Sequence, residues 1–235
     1  MKQSILVTGA TGFVGSELVR ALVQKNPNVD LTVLIRSNHG QSAVERLERF
    51  HSRWHKFGLV KPNFHLSHVK VIEHDFERDS VASLPRDFTT VYHAAAATDF
   101  DLALPVARRK NVRSTLQMLQ LARSCPHLLR FVHFSTAFVA GNAKGLVDED
   151  YQPVAFNNSY EQTKWESELA VKAAGIPFTI LRPSIITGSS DFGYVVGLKV
   201  IYSVVRLWLS GILPRAPVNP NEMVDIVPID FVVNA

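Results

Sequence analysis

The sequence predicts an α/β fold in which one parallel sheet carries helices on both faces. Two observations support this prediction. Short β-favouring runs alternate with helical segments of ten to twenty residues, the pattern of repeated strand–helix–strand units. The chain also opens with a strand, a glycine-rich turn and a helix in direct succession, SILVTGATGFVG over residues 4–15. Together they indicate a doubly wound, Rossmann-type sheet with the strand order 3-2-1-4-5-6.

The opening turn is the first element that indicates a ligand. An apolar strand at residues 5–8 leads into three glycines spaced three apart. Glycines placed in this way allow a tight turn, a close approach of the backbone to a pyrophosphate, and close packing of helix on strand. An ordinary strand–helix connection is the alternative, but the position favours a dinucleotide site. The predicted contacts are Gly9, Thr11, Gly12, Phe13, Val14 and Gly15.

The later elements follow in chain order. Further strands are predicted at residues 31–36, 69–72, 90–93, 130–134 and 178–181. Helices are predicted at residues 41–57, 102–124 and 159–174, the second with a bend near Pro105. Residues 194–213 are mostly apolar, with only Lys199 and Arg206 charged, and we interpret them as a buried amphipathic helix. Contact with a lipid-like substrate or a membrane surface is the alternative.

Length and composition bound the organisation of the chain. Its 235 residues, 46% of them hydrophobic, suffice for one large domain and part of another. We predict a dinucleotide-binding domain at residues 1–190 and the start of a substrate-binding region at 191–235. Residues 232–235 resemble the beginning of a helix, so we expect the chain to belong to a longer protein.

Cysteine content indicates the compartment. The single cysteine, Cys125, cannot form an internal disulfide, and the N-terminus has no signal-peptide pattern, so we expect a reducing, cytoplasmic location. Cys125 precedes Pro126 without the His–Asn context of a nucleophile, and we interpret it as a buried thiol.

Charge is concentrated in one region of the chain. The net charge is +4, and residues 36–70 contain seven Lys or Arg against two acids. This favours a polyanionic ligand, such as a phosphorylated cofactor or coenzyme A, over nucleic acid, and a solvated helix face is the alternative. We interpret the histidines of this region, His51, His55, His65 and His68, as surface residues without a metal, because no Cys or paired carboxylate completes a ligand set.

The end of the second strand indicates which dinucleotide binds. An NAD site usually carries Asp or Glu there, to bind the ribose 2′-hydroxyl. Arg36 occupies this position, and a guanidinium suits a 2′-phosphate, so we predict NADPH over NADH, with Arg46 as a second partner. Asp75 and Phe76, at the end of the third strand, are further candidates. Asp75 could bind the adenine amine or serve as a cap or turn residue.

A second group of candidate residues suggests acid–base chemistry. Tyr160 and Lys164 lie one helical turn apart, so the ammonium can approach the phenol and lower its pKa. A surface pair is the alternative. Thr136 follows the fifth strand, where a parallel sheet opens its ligand crevice, and its hydroxyl could share a carbonyl oxygen with the tyrosine.

Six motifs in this order resemble the extended short-chain dehydrogenases/reductases: TGATGFVG, VYHAAA, NVRST, FSTAFVAG, YEQTK and LRPSIITG. Within that superfamily, HAAAATDF, FVHFSTAFVAG and the closing VDIVPIDFVVNA are most similar to the acyl-thioester reductases. That group comprises the fatty acyl-CoA reductases and the thioester reductase domains of peptide synthetases and carboxylic acid reductases.

The resemblance implies roles for individual residues. Thr136, Tyr160 and Lys164 take the catalytic places beside Asn111, and Lys164 also holds the nicotinamide ribose. Further cofactor contacts are implied for Ala94, Ala95, Ala96, Pro183, Ser184 and Ile185. Ser114 departs from the family, which commonly has glycine there. The family's C-terminal substrate lobe would follow Ala235.

The activity implied is reduction of a fatty acyl-CoA or carrier-bound acyl chain to an aldehyde and, after a second hydride, an alcohol. The enzyme alternatives on this scaffold are a nucleotide-sugar epimerase or dehydratase and a hydroxysteroid-type dehydrogenase. A dinucleotide-sensing regulator is the alternative without catalysis. The presence of Thr136, Tyr160 and Lys164 together argues against it.

Overall fold

A sheet of six strands organises the part of the chain up to Arg182. The computed structural model describes residues 3–38, 40–196, 201–213 and 224–235. The strands are β1 (Ser4–Thr8), β2 (Asp30–Ile35), β3 (Lys70–Glu73), β4 (Thr90–His93), β5 (Arg130–Phe134) and β6 (Phe178–Leu181). Their order, β3-β2-β1-β4-β5-β6, confirms the prediction. All neighbouring strands are parallel, so their carboxyl ends meet at one edge of the sheet.

Four helices connect these strands: α1 (Phe13–Lys25), α2 (Ala43–Lys56), α3 (Leu104–Arg123) and α4 (Ser159–Lys172). Side chains fix two of the helix starts. Ser42 and Glu45 form a capping box on α2, and the Asn158 side chain accepts a hydrogen bond from the Glu161 N–H at the start of α4. Pro105 lies in the first turn of α3, where no backbone donor is needed. The predicted bend at Pro105 is therefore wrong.

The core of this unit lies between the central strands and the helices. Leu6, Val91 and Phe131, on three neighbouring strands, are fully buried. They share one cluster with Met118 of α3 and with Cys125. Cys125 is buried, as predicted, and burial raises the pKa of its thiol, which fits a packing role.

A second compact unit comprises Pro183–Ala235. The domain boundary at residue 190 stays a prediction. In the second unit, β7 (Ile185–Thr187) pairs in parallel with β8 (Ile226–Pro228). Its helices are α5 (Ile201–Leu209) and α6 (Ile229–Asn234).

Helix α5 corrects one expectation. Of the predicted helix at 194–213, the structure shows a helix over Ile201–Leu209, while residues 197–200, including Lys199, lie outside the described ranges. No residue of α5 is buried, and Trp208 and Leu209 are 55% and 73% exposed. The expectation of a buried helix is therefore wrong. Within the described ranges, no helix has both the length and the apolar character needed to cross a bilayer.

Candidate active site

The glycine-rich turn lies between β1 and α1, at the carboxyl edge of the sheet. Gly9 has a φ of 72°, and a Cβ there would lie 2.6 Å from the carbonyl oxygen of Ala94. A Cβ on Gly15 would lie 2.1 Å from the carbonyl oxygen of Gly9. Side chains are thus excluded at both positions because the turn packs directly on the backbone after β4 and on α1.

The N-terminus of α1 suits a phosphate. Its N-cap, Gly12, offers no side-chain hydrogen bond, whereas α2 and α4 are both capped by side chains. The first N–H groups of a helix lack partners within the helix, and together with the helix dipole they attract an anion. The residues predicted to bind a pyrophosphate therefore form a turn that fits one.

Three predicted cofactor residues meet at the end of β2. The Arg46 guanidinium donates one hydrogen bond to the carbonyl oxygen of Arg36 and another, 2.9 Å long, to Oγ1 of Thr11. Arg46 thus links the glycine-rich turn to the exposed Arg36. Burial, together with the charges of Arg36 and Arg49, lowers the pKa of Arg46. This concentration of positive charge would be relieved by an anion.

Asp75 and Phe76 follow β3. The Asp75 carboxylate accepts a hydrogen bond from the Glu77 N–H at 3.0 Å and lies 3.4 Å from the Arg78 guanidinium. Asp75 therefore has the turn role that the sequence left open. The Phe76 ring stands edge-on to His93, with centroids 6.1 Å apart.

The backbone after β4 is held by Thr8 and Asn111. Oγ1 of Thr8 accepts a hydrogen bond from the Ala95 N–H at 3.2 Å. The side-chain oxygen of the buried Asn111 accepts a hydrogen bond from the Ala97 N–H at 2.7 Å. Its side-chain nitrogen donates to the Ala97 carbonyl oxygen at 3.1 Å and to Oγ1 of Thr163 at 3.0 Å. Asn111 therefore joins this segment, which includes Ala94, Ala95 and Ala96, to helix α4.

Thr136 and Tyr160 meet beyond the end of β5. Thr136, 5% exposed, caps a 3₁₀ turn at Ala137–Ala140, and Tyr160 lies in the first turn of α4. Burial raises the pKa of the Tyr160 phenol, and a hydrogen bond with Thr136 opposes this rise in part. The sequence had led us to expect a lowered pKa. Burial has the larger effect, so the phenol keeps its proton at neutral pH.

Lys164, one helical turn after Tyr160 on α4, is almost fully buried. Its Nζ donates to the carbonyl oxygen of Phe134 at 2.6 Å and lies 3.4 Å from Nε2 of His133. Burial lowers the pKa of Lys164 to about 8, an effect that the negative charge of Glu168 opposes. Glu168 is itself paired with Arg182 at 2.7 Å. The ammonium is therefore directed at the end of β5.

Two buried histidines that the sequence analysis did not single out line the same region. His93 and His133 occupy neighbouring positions on β4 and β5, and their rings stack with centroids 5.6 Å apart. Nδ1 of His93 lies 2.8 Å from Oγ1 of Thr8. Burial lowers the pKa of His93 to about 3 and that of His133 well below its ordinary value, so both rings are neutral. The sequence did contain a signal for this pair: a histidine ends each of the two strand segments VYH and FVH.

Two exposed aromatic rings, Phe100 beside Tyr160 and Phe138 beside Phe100, were not predicted from the sequence. The centroid of Phe100 lies 5.6 Å from that of Tyr160 and 6.4 Å from that of Phe138. Phe100 and Phe138 are 43% and 38% exposed. An apolar surface thus adjoins the phenol.

The remaining predicted cofactor residues, Pro183, Ser184 and Ile185, belong to the second unit. Ile185 begins β7 and pairs with Ile226 of β8. Their contact with a cofactor stays a prediction.

The parallel sheet, with the glycine-rich turn and the Thr136–Tyr160–Lys164 group at its carboxyl edge, is the doubly wound α/β fold typical of dinucleotide-binding proteins. More narrowly, the chain belongs to the male sterility protein family, whose model matches residues 7–235.

Individual relatives agree with this assignment. The chain is 29% identical over 275 aligned positions to fatty acyl-CoA reductase 2 of Bos taurus, an alignment covering 99% of this chain and 53% of that protein. The chain thus spans about half the length of the curated relatives it matches.

Two solved structures share the fold. The terminal R domain from the myxalamid PKS-NRPS biosynthetic pathway aligns with a TM-score of 0.83 at 24% identity, covering 99% of this chain and 61% of that one. UDP-glucuronic acid 4-epimerase from Bacillus cereus, in complex with NAD, aligns with a TM-score of 0.69 at 24% identity, covering 98% and 71%. At these identities the likeness concerns the fold alone.

Proposed function

We propose that the chain carries the cofactor site and catalytic residues of an NADPH-dependent reductase of acyl thioesters. The observation that carries the proposal is that Thr136, which follows β5, and Tyr160, in the first turn of α4, lie close together at the sheet edge that also holds the glycine-rich turn, whose helix has no side-chain cap. The substrate class, a fatty acyl-CoA or carrier-bound acyl chain, is supported by the relatives named fatty acyl-CoA reductases. The cytoplasmic location stays a prediction from the cysteine content.

The choice of NADPH is supported by the arginines at the end of β2. Arg46 is held at the end of β2 by Thr11 and the Arg36 carbonyl oxygen, and an arginine near this position of the fold typically accommodates the 2′-phosphate of NADP. A guanidinium binds such a group with two parallel hydrogen bonds. The exposed Arg36 supplies a second positive charge.

When bound, NADPH supplies a hydride to the carbonyl carbon of the thioester. As negative charge develops on the carbonyl oxygen, the hydroxyl groups of Thr136 and Tyr160 donate hydrogen bonds to it. Tyr160 then gives its proton to that oxygen, a task for which its raised pKa keeps it protonated. Lys164, one helical turn further along α4, would stabilise the phenolate that remains, a role implied by the family resemblance; in the structure its ammonium bonds to the carbonyl oxygen of Phe134.

The resulting hemithioacetal breaks down at its carbon–sulfur bond. Its hydroxyl proton passes back to the Tyr160 phenolate, the carbonyl re-forms as an aldehyde, and the thiolate leaves and takes a proton from water. A second round of hydride and proton transfer would give the alcohol. Tyr160 thus acts first as the acid and then as the base.

The acyl chain would lie on the exposed rings of Phe100 and Phe138. Phe100 is next to Tyr160 and Phe138 is next to Phe100, so a carbonyl group at the phenol places the attached chain against an apolar surface. A nucleotide sugar would gain little from such a surface.

The test follows NADPH absorbance with a long-chain acyl-CoA, a UDP-sugar and a hydroxysteroid offered in turn, beside a separate measurement of NADPH binding. We expect oxidation only with acyl-CoA, with release of one free thiol for each aldehyde formed. Turnover with one of the other substrates instead would assign a different reaction to the same fold. Tight NADPH binding without any turnover would favour a sensor.

A further inference from the structure

Three donor atoms converge on one side of α2, away from the Thr136–Tyr160 pair in sequence. Nε2 of His51 and Nε2 of His55 lie 3.1 Å apart. The carbonyl oxygen of Phe64 lies 3.1 Å from the first nitrogen and 3.0 Å from the second. The Phe64 ring packs beside both imidazoles, with centroids 5.9 and 6.4 Å away. Both histidines are half-buried, so the three atoms face one another but remain open to water.

Hydrogen bonding cannot make all three of these contacts attractive. Each Nε2 either carries a proton or presents a lone pair, and a carbonyl oxygen only accepts. If both nitrogens carry protons, the two N–H groups face each other at 3.1 Å. If only one does, the lone pair of the other faces the carbonyl oxygen. One cation between the three atoms would make every contact favourable.

We propose that His51, His55 and the carbonyl oxygen of Phe64 bind a divalent first-row transition-metal ion, of which Zn²⁺ is the typical case. Imidazole is a preferred ligand of zinc, copper and nickel, and two histidines at i and i+4 of a helix present their rings to one ion. Two nitrogens 3.1 Å apart, each about 2.05 Å from an ion, subtend about 100° at it. This angle lies between octahedral and tetrahedral geometry, and water completes the coordination.

The backbone donor explains why the sequence pointed away from a metal. Within the described ranges, no three side chains of His, Cys, Asp or Glu cluster in a way that could hold an ion. Here the third ligand is a carbonyl oxygen from the connection between α2 and β3, which no residue type reveals. The ion would tie that connection to α2. With two imidazoles and basic neighbours such as Arg53 and Lys56, we expect weaker binding than at four-ligand structural zinc sites.

The test uses the 235-residue chain with any affinity tag removed. Isothermal titration with Zn²⁺ measures stoichiometry and affinity, and the absorption spectrum of added Co²⁺ reports nitrogen coordination. We expect one bound ion per chain. His51→Ala and His55→Ala should each weaken binding at least ten-fold, because each removes one of two imidazoles. If His51→Ala folds poorly, His51→Gln, which keeps a polar side chain, replaces it in the test. It should also weaken binding at least ten-fold.

Exposed histidines outside the cluster provide the matched controls. His65→Ala and His127→Ala should leave the affinity unchanged, and circular dichroism of the metal-free variants checks the fold. Saturating Zn²⁺ should raise the Tm of the wild type and of both controls but not of the His51 and His55 variants. The proposal is overturned if the wild type binds no ion, or if the control variants weaken binding as much as the two cluster variants.

Discussion

The glycine-rich turn and the Thr136–Tyr160–Lys164 group lie at the same edge of one sheet but are specified in opposite ways. The turn requires glycine, because any side chain would clash: a Cβ at Gly15 would lie 2.1 Å from the Gly9 oxygen. The Thr136–Tyr160–Lys164 group depends on polar side chains whose burial costs free energy, an ammonium and a phenol whose pKa values are both shifted by burial. The first region is therefore sensitive to added volume, and the second to changes in polarity and charge.

The largest expected effect is the loss of turnover when the phenol hydroxyl of Tyr160 is removed. Tyr160→Phe keeps the ring against Phe100 but removes the proton donor, so kcat should fall about 10³-fold. NADPH affinity should stay within two-fold, roughly the scatter between independent sites. Stopped-flow measurement of NADPH oxidation, with fluorescence titration of binding, separates the two readouts. Retained turnover would mean that the proton comes from another group.

The next effect adds volume to the turn. Gly15→Ala places a methyl group where the Gly9 carbonyl stands, so the turn must open, and NADPH affinity should fall about 100-fold. Gly175→Ala is the control for a methyl group added without a clash: unlike Gly15, which lies in helix α1, Gly175 has a positive φ of 66°, but its Cβ would meet nothing within 4 Å. That control should cost only about 1 kcal/mol of unfolding free energy and leave binding intact. Equal losses of affinity in the two variants would contradict a steric role for Gly15.

Removing the buried charge should stabilise the fold while it abolishes turnover. In the folded protein Lys164 has a pKa of about 8, below its ordinary value. Below pH 8 the lysine is charged, so the destabilisation of the native state by the buried charge has its full value there. Lys164→Met should therefore raise the unfolding free energy at pH 7 by about 2 kcal/mol. Between pH 8 and about 10.4 the folded lysine loses its proton while the unfolded one keeps it, so the difference should shrink. Urea unfolding of both proteins at pH 7, 8, 9 and 10 measures this, and a difference that grows with pH would have the wrong sign.

The smallest expected effect concerns the choice between dinucleotides. Arg46→Ala should weaken NADPH binding about ten-fold, because it removes a charge-assisted contact, and should change NADH binding little. Arg49→Ala, an exposed arginine on the same helix, is the control and should affect neither much. An equal loss for both dinucleotides would remove the 2′-phosphate argument and leave Arg46 with the structural role of joining Thr11 to β2.

The two regions also differ in how far the sequence predicted them. The turn could be located because its glycines and the flanking strand and helix are adjacent in the chain. The strand order followed from the alternation of elements, and the structure confirms it. The motifs also located Thr136, Tyr160 and Lys164, and the structure brings the first two into contact.

What the sequence did not reveal depends on non-local contacts. The direction of the Tyr160 pKa shift depends on how deeply packing buries the phenol, and the spacing of Tyr160 and Lys164 carries no information on that. His93 and His133 become neighbours only through the register of β4 and β5. The exposure of α5 was missed because an apolar helix has the same pattern whether or not another surface covers it.

The pairing of β1 has a consequence for protein synthesis. Ser4, at the start of β1, hydrogen-bonds to Thr89, just before β4, across 85 residues of chain. At typical elongation rates of about 5–20 residues per second, the ribosome needs roughly 4–17 s to make the intervening segment. During that interval Leu6 and Val7, fully buried in the folded protein, have only one side of their strand paired. We therefore expect substitutions that weaken β4 to lower the yield of folded protein during expression before they change the behaviour of molecules that have folded.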